Sequence, residues 1–185
     1  MPEERIITFG EAVREALAEE MTRDSRVFMM GEDIGNHGSV FKILEGLLDQ
    51  FGPDRVRDTP ISEAGFAGSG VGAALAGMRP VVDIMFGDFA TLAMDQLVNQ
   101  AAKIRYMSGG QAMVPLTVHI TMGAGRSSAA QHSQSLHAWF AHIPGLKVVL
   151  PSTPYDAKGL LKTAIRDDNP VIVFEHKMMY RQEGP

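Results

Sequence analysis

Short runs dominated by apolar residues recur along the chain: Arg26–Gly31, Pro80–Phe86, Leu116–Thr121, Lys147–Leu150 and Val171–Phe174. Except for Leu116–Thr121, they do not alternate apolar with polar, and all are expected to be buried strands. With a shorter one at Val56, about six such strands are expected. Helical patterns separate them. Thr8 suits the N-cap of a helix from about Gly10 to Thr22, with Ala12, Val13, Ala16, Leu17 and Met21 on one stripe. Further helices are expected over Phe41–Phe51, after Ser62, over Ala90–Tyr106, through Trp139–Phe140, and from Pro154 to about Arg166. Strands and helices in alternation predict an α/β fold: a doubly wound, mostly parallel sheet with helices on both faces. Function in such sheets gathers at the C-terminal ends of the strands.

The 185 residues, 45% hydrophobic and 21% charged, suit one globular domain with its own core. A net charge of −5, with no basic run, argues against a nucleic-acid partner. The chain has no cysteine, which excludes disulfides, thiol catalysis and zinc–thiolate sites. The start, Met1-Pro2-Glu3-Glu4-Arg5, is charged, and no run is long enough to span a bilayer. A cytoplasmic protein with no membrane partner is the expectation. The 12 methionines are scattered rather than clustered, so they are expected to fill gaps in the core and at interfaces.

Asp58-Thr59-Pro60-Ile61-Ser62-Glu63 ends a strand and opens a helix made almost wholly of Gly and Ala. Pro60 stops the strand, Ser62 suits an N-cap, and Glu63 falls in the first turn, where the helix dipole favours a negative charge. Two readings stay open for Glu63: a solvated first-turn acid, or a carboxylate at the mouth of a tightly packed site. The glycines suggest close approach by a backbone or a ligand. Gly68-x-Gly70-x-x-Ala73 imitates a dinucleotide fingerprint but lies inside the helix rather than at its start. Ser69 is expected to be buried in mid-helix, a poor nucleophile. Glu32-Asp33, after the first long strand, are expected to be solvated. His132 and His137 lack same-face helical spacing and a nearby acid, so no metal pattern forms. His132, in Gln131-His132-Ser133-Gln134, suits either a hydrogen-bonding site residue or a core position. No Gly-x-Ser-x-Gly elbow surrounds Ser133 or Ser135, and no phosphate loop ending Gly-Lys-Ser/Thr is present.

Four blocks, Asp58–Gly68, Met107-Ser108-Gly109-Gly110, Ala130–Gln134 and Pro144–Val149, closely resemble the β subunit of the decarboxylating component of 2-oxo acid dehydrogenase complexes. The pyruvate, acetoin and branched-chain enzymes share them. The resemblance covers nearly the whole chain, 1–185, as the transketolase-like pyrimidine-binding domain of the thiamine diphosphate-binding fold, with the family's C-terminal domain absent. It implies that Glu63 hydrogen-bonds the aminopyrimidine of thiamine diphosphate and favours its imino tautomer, whose nitrogen takes the proton from the thiazolium carbon. It places Ile61 beside that ring, Phe89 packed on it and Met85 lining the same pocket, and puts His132 near the substrate. It further implies a structural potassium ion held by Leu116, Ala164, Ile165, Asp167 and Asn169, where an ordinary helix end and turn is the alternative. Leu92 stands where some members carry glutamine.

The Gly-Asp-Gly…Asn motif that holds the diphosphate and magnesium does not occur here, and in the family it belongs to the α subunit. The resemblance therefore implies half an active site. Its partners would be an α subunit, in a heterotetramer of two α and two β chains, and a dihydrolipoamide acyltransferase core, with self-association of this chain as well. Oxidative decarboxylation of a pyruvate- or acetoin-type substrate, with acyl transfer to lipoamide, is the implied activity. Half of a split transketolase or 1-deoxyxylulose-5-phosphate synthase, or a non-catalytic scaffold subunit, are the rivals.

Overall fold

The computed structural model describes Arg5–Pro185, and the charged residues Met1–Glu4 lie outside the described residues. Six parallel strands form the central sheet: β2 (Val27–Gly31), β3 (Val56–Asp58), β4 (Arg79–Ile84), β5 (Thr117–Met122), β6 (Lys147–Val149) and β7 (Val171–His176). Their order is β3-β2-β4-β5-β7-β6. A small antiparallel pair, β1 (Ile7–Thr8) with β8 (Glu183–Gly184), brings the two ends of the described chain together.

Helix α1 (Phe9–Arg23) and helix α6 (Pro154–Arg166) pack together on one face, over Val13, Leu17, Met29, Leu161 and Val173. The opposite face carries α3 (Glu63–Leu75) and α5 (His137–Ala141), whose Phe66, Val71 and Phe140 pack with Val82, Val118 and Phe174. Neighbouring residues of β4 and β7 thus feed two different cores, which is why these runs show no polar alternation, whereas β5 gives Val118 and Ile120 to one core and turns Thr117, His119 and Thr121 to the other face. The expected doubly wound architecture is present.

Two helix starts follow their capping chemistry. Glu11 N–H donates to Thr8 Oγ1 at 3.2 Å, while Thr8 N–H donates to the Glu11 carboxylate at 2.7 Å, a reciprocal capping box. Thr153 caps α6 by accepting from Asp156 N–H at 3.0 Å, with Pro154 in the first turn.

Two expected helices differ. Of Phe41–Phe51 only α2 (Leu47–Phe51) is helical, because Ser39, Lys42 and Gly46 take positive φ values of 71°, 62° and 87°. A left-handed residue cannot continue a right-handed helix. The stretch expected as Ala90–Tyr106 is a 3-10 segment (Gly87–Ala93), a π segment (Gln96–Ala101) and α4 (Ala102–Met107). Thr91 Oγ1 donates to the Asp88 carbonyl three residues back, which holds the first of these in its tighter winding.

Candidate functional site

The chain runs from β2 to β3 at the sheet edge, then crosses back to β4 on the other side of β2. That reversal is a topological switch point, and the C-terminal ends of β2, β3 and β4 open there. A cavity of about 480 Å³ sits at this position, lined by Glu32, Asp33, Thr59, Ile61, Glu63, Met85, Phe89 and Leu92. The four residues expected around a pyrimidine ring, Ile61, Glu63, Met85 and Phe89, therefore share one wall system.

Local chemistry fixes Glu63. Thr59 N–H donates to the Gly31 carbonyl at 2.9 Å, and the Asp58 carboxylate accepts from Gly35 N–H at 2.7 Å, tying the β2 and β3 loops together. Ser62 precedes the helix without a side-chain cap bond, contrary to its expected capping role. Its hydroxyl lies instead where a side chain on Gly65 would have to go. Glu63 begins α3 and is only 5% exposed, so the solvated first-turn reading does not hold.

Glu32 corrects a second expectation. It is half-buried and faces the same cavity, where burial first and the charge of Glu63 second raise its carboxyl above the ordinary glutamate range. The backbone N–H of Ser62 opposes that rise. Glu32 Oε1 and Thr59 Oγ1 are buried without a hydrogen-bond partner among the described residues. Two unsatisfied polar atoms, a buried carboxylate and an apolar wall of Ile61, Met85, Phe89 and Leu92 suit a flat, nitrogen-bearing ring.

The Gly/Ala helix serves the sheet rather than the ring. A Cβ at Gly70 would lie 2.5 Å from a Val82 methyl and 3.3 Å from Leu116, so the glycine lets α3 lie close on β4. Ser69, expected to be buried, is exposed and donates to the Gly65 carbonyl at 2.9 Å.

His132 sits outside the cavity lining, behind Phe89. Its ring meets Phe89 edge-on at 5.3 Å and Phe86 at 4.5 Å. The loop carrying it is clamped from both sides by residues that sequence reasoning did not single out. Buried Lys177 donates to the His132 carbonyl, and buried Asp88 accepts from Gln134 Nε2 at 2.7 Å. Burial lowers the Lys177 pKa, Asp88 opposes that, and Arg126 adds to it.

The residues expected around a potassium ion form one hydrogen-bonded knot. Val171 N–H donates to Leu116 O at 2.9 Å, and Asp167 N–H to Ala164 O at 3.2 Å. The Arg79 guanidinium reaches Ile165 O at 2.8 Å, Asp167 O at 2.7 Å and the Asp168 carboxylate at 3.0 Å. Asn169 donates to Asp167 Oδ1 at 2.9 Å.

A buried ionic row was also missed. His119 on β5 is 1% exposed, with Nδ1 2.6 Å from Asp83 Oδ2 on β4 and Nε2 2.8 Å from Glu175 Oε2 on β7. Burial disfavours the imidazolium, yet the two carboxylates together raise the His119 pKa well above its ordinary value. A polar residue inside a run covered on both faces was the available signal, at both Asp83 and His119.

The family profile described as "Transketolase, pyrimidine binding domain" matches residues 5–183. The chain belongs to that family. Among curated proteins it is 55% identical to pyruvate dehydrogenase E1 component subunit beta of Rickettsia felis, over 94% of this chain and 53% of that one. It is 52% identical to 2-oxoisovalerate dehydrogenase subunit beta of Bacillus subtilis (95% and 54%). It is 48% identical to acetoin:2,6-dichlorophenolindophenol oxidoreductase subunit beta of the same organism (97% and 56%). The chain thus spans about half the length of these relatives. A solved chain described as "Split gene transketolase, inactive beta4 tetramer" shares the fold, with a TM-score of 0.74 at 19% identity, over 92% of this chain and 52% of that one. Among the described residues no helix is long and apolar enough to cross a membrane.

Proposed function

We propose that this chain is the pyrimidine-binding half of the β subunit of a thiamine diphosphate-dependent 2-oxo acid dehydrogenase. The supporting observation is the switch-point cavity, which joins buried Glu63 to Ile61, Met85 and Phe89. Thiamine diphosphate, when bound, supplies an electron sink for breaking the bond between the carbonyl and carboxylate carbons of a 2-oxo acid. Glu63 holds and moves a proton at the aminopyrimidine ring nitrogen. Phe89, Met85 and Ile61 set the plane of the ring and keep water from it. Glu32, with its raised pKa, holds a proton beside Glu63 more readily than an ordinary glutamate does. His132, across Phe89, serves the substrate side.

Ile61 is 86% exposed and Leu92 58% exposed at the rim of the cavity. Apolar rims of this kind support closure by a partner, and we assign that closure, the diphosphate and its magnesium to an α subunit. Assembly as two α and two β chains and docking on a dihydrolipoamide acyltransferase core belong to the same reading. Glu175 and Lys177 have structural tasks here.

Titration calorimetry tests the half-site. This chain alone should give no binding heat below millimolar thiamine diphosphate, where affinity is worth about 4 kcal/mol. The assembled two-subunit enzyme should bind it in the micromolar range. Micromolar binding by this chain alone at the switch-point cavity, read from amide shifts at Ile61, Glu63 and Phe89, would overturn the assignment.

We also propose that the Leu116–Asn169 knot holds potassium, since a carbonyl oxygen that accepts one hydrogen bond keeps a second lone pair. Arg79 already supplies positive charge there, so the ion's contribution is modest. The thermal midpoint should rise and saturate in potassium chloride but not in tetramethylammonium chloride of equal ionic strength. Stabilisation should reach about 1.4 kcal/mol at ten times the dissociation constant. Equal midpoints in the two salts would leave Arg79, Lys147 and Arg105 as the cations of the knot.

A further inference from the structure

A second cavity, of about 450 Å³, lies on the far side of Phe41 from the site just described. Four segments bring cations to it: Arg14 from α1, Lys42 from the left-handed turn before α2, Arg126 from the loop after β5, and Arg181 after β7. Among the described residues Glu11 is the only acid in its lining, and Thr8 engages that carboxylate through both its N–H and its hydroxyl, at 2.7 and 2.8 Å. Elsewhere the cations of this acidic chain are spoken for. Arg79 meets Asp168, Lys158 meets Glu15 and Glu19, and Arg166 meets Glu20. Among the described residues, Arg14, Arg126 and Arg181 meet no carboxylate in this way. Arg126 is instead stacked over Phe41 at 5.3 Å, and Lys42 spends one donor on the His37 carbonyl at 2.7 Å.

We propose that this cavity binds a small phosphorylated anion carrying at least two negative charges. Four cations against one committed carboxylate leave a surplus of positive charge in a chain whose net charge is −5. Guanidinium groups from separate segments offer paired N–H donors, the geometry that phosphate oxygens accept. The volume suits a small metabolite, and the lining is too polar for an apolar ligand.

The location gives the anion a route to the site. Phe41 meets Phe86 edge-on at 5.6 Å, and Phe86 meets His132 at 4.5 Å. Arg126 also stands in the loop that leads to His132, where Ser127 and Ala129 take positive φ values of 53° and 62°. A bound anion would anchor that loop against α1.

The test is a nitrogen-15 chemical-shift titration of this chain with inorganic phosphate, sodium chloride holding the ionic strength constant. Saturable shifts are expected at residues 8–14, 40–43, 124–128 and 181, with slower amide exchange across 123–132. Arg126→Gln and Arg181→Gln should each weaken the dissociation constant roughly tenfold or more, the loss expected for a charge-assisted hydrogen bond. Arg57→Gln, at an exposed arginine far from the cavity, should leave it unchanged. Shifts that do not saturate, or that sodium chloride alone reproduces, would overturn the proposal. So would saturable binding of an acidic peptide at these residues with none of phosphate, which would make the cavity a protein-docking surface.

Discussion

Replacing His119 with leucine should destabilise the fold by about 3–5 kcal/mol, the usual cost of stripping one partner from a buried ion pair. The ring joins three adjacent strands: the ladder places Asp83 opposite His119, and Glu175 opposite Thr121 one step along the same face. Leucine would leave two carboxylates facing each other in a space with almost no solvent. Replacing Asp83, His119 and Glu175 together by apolar residues of similar size should cost far less, because no charge is then left unpaired. Urea midpoints of the single and triple variants measure both. A single variant within 1 kcal/mol of wild type, on the order of ordinary surface substitutions, would show that the row carries little energy.

The same row sets a pH dependence with a definite sign. The folded His119 pKa is raised above an unfolded value of about 6.5, so its contribution is complete below that pH. It is lost as the pH rises through the folded value, with a slope of at most about 1.4 kcal/mol per unit. Wild-type stability should therefore decline through the mildly alkaline range, and His119→Gln should lack that part of the decline. Tyr180, whose hydroxyl lies 2.6 Å from Thr121 Oγ1, is pushed well above its ordinary value by burial and then by Glu175. Its contribution is lost only above about pH 10, so measurements below about pH 9 leave Tyr180 out. Parallel slopes for wild type and His119→Gln in that window would sink the assignment.

What could be read in the sequence was local, and what could not was set by pairing. The apolar runs announced β2, β4 and β7 because strands covered on both faces need no alternation, and Leu116–Thr121 announced β5. Thr8 announced α1 through capping chemistry, and Pro154 announced α6 as a residue suited to a first turn, both signals that act within four residues. Nothing comparable marks Ser39 and Lys42, whose left-handed backbone cut short the helix expected from Phe41. Glu63 was visible as a first-turn acid, but its burial depends on β2 and β4 standing on either side of its loop. Glu32 looked solvated because the carboxylate that perturbs it arrives from the end of another strand. Asp83, His119 and Glu175 were each ambiguous alone, and only the strand order makes them one row. The resemblance located the pocket residues because it carries topology that periodicity lacks.

Replacing Glu63 with Gln in the assembled two-subunit enzyme should slow exchange of the thiazolium proton with solvent deuterium by roughly 100- to 10,000-fold, the span of one general acid–base contribution. Glutamine keeps the shape and a hydrogen-bond acceptor at the start of α3 but cannot share a proton with a ring nitrogen. Cofactor affinity should change much less, since most of the grip on a diphosphate lies in charge that this chain does not supply. Glu32 gives an internal check. Its pKa is raised first by burial and then by the charge of Glu63, so in the variant the second cause disappears and the value should fall part-way toward normal. Quenched-flow exchange at saturating cofactor measures the first effect, and carbon-13 titration of labelled glutamate the second. Exchange within a few-fold of wild type, with the Glu32 shift as expected, would separate position from chemistry. Glu63 would then be a buried neighbour of Glu32 at the switch point, and the proton transfer would have to be assigned to another group.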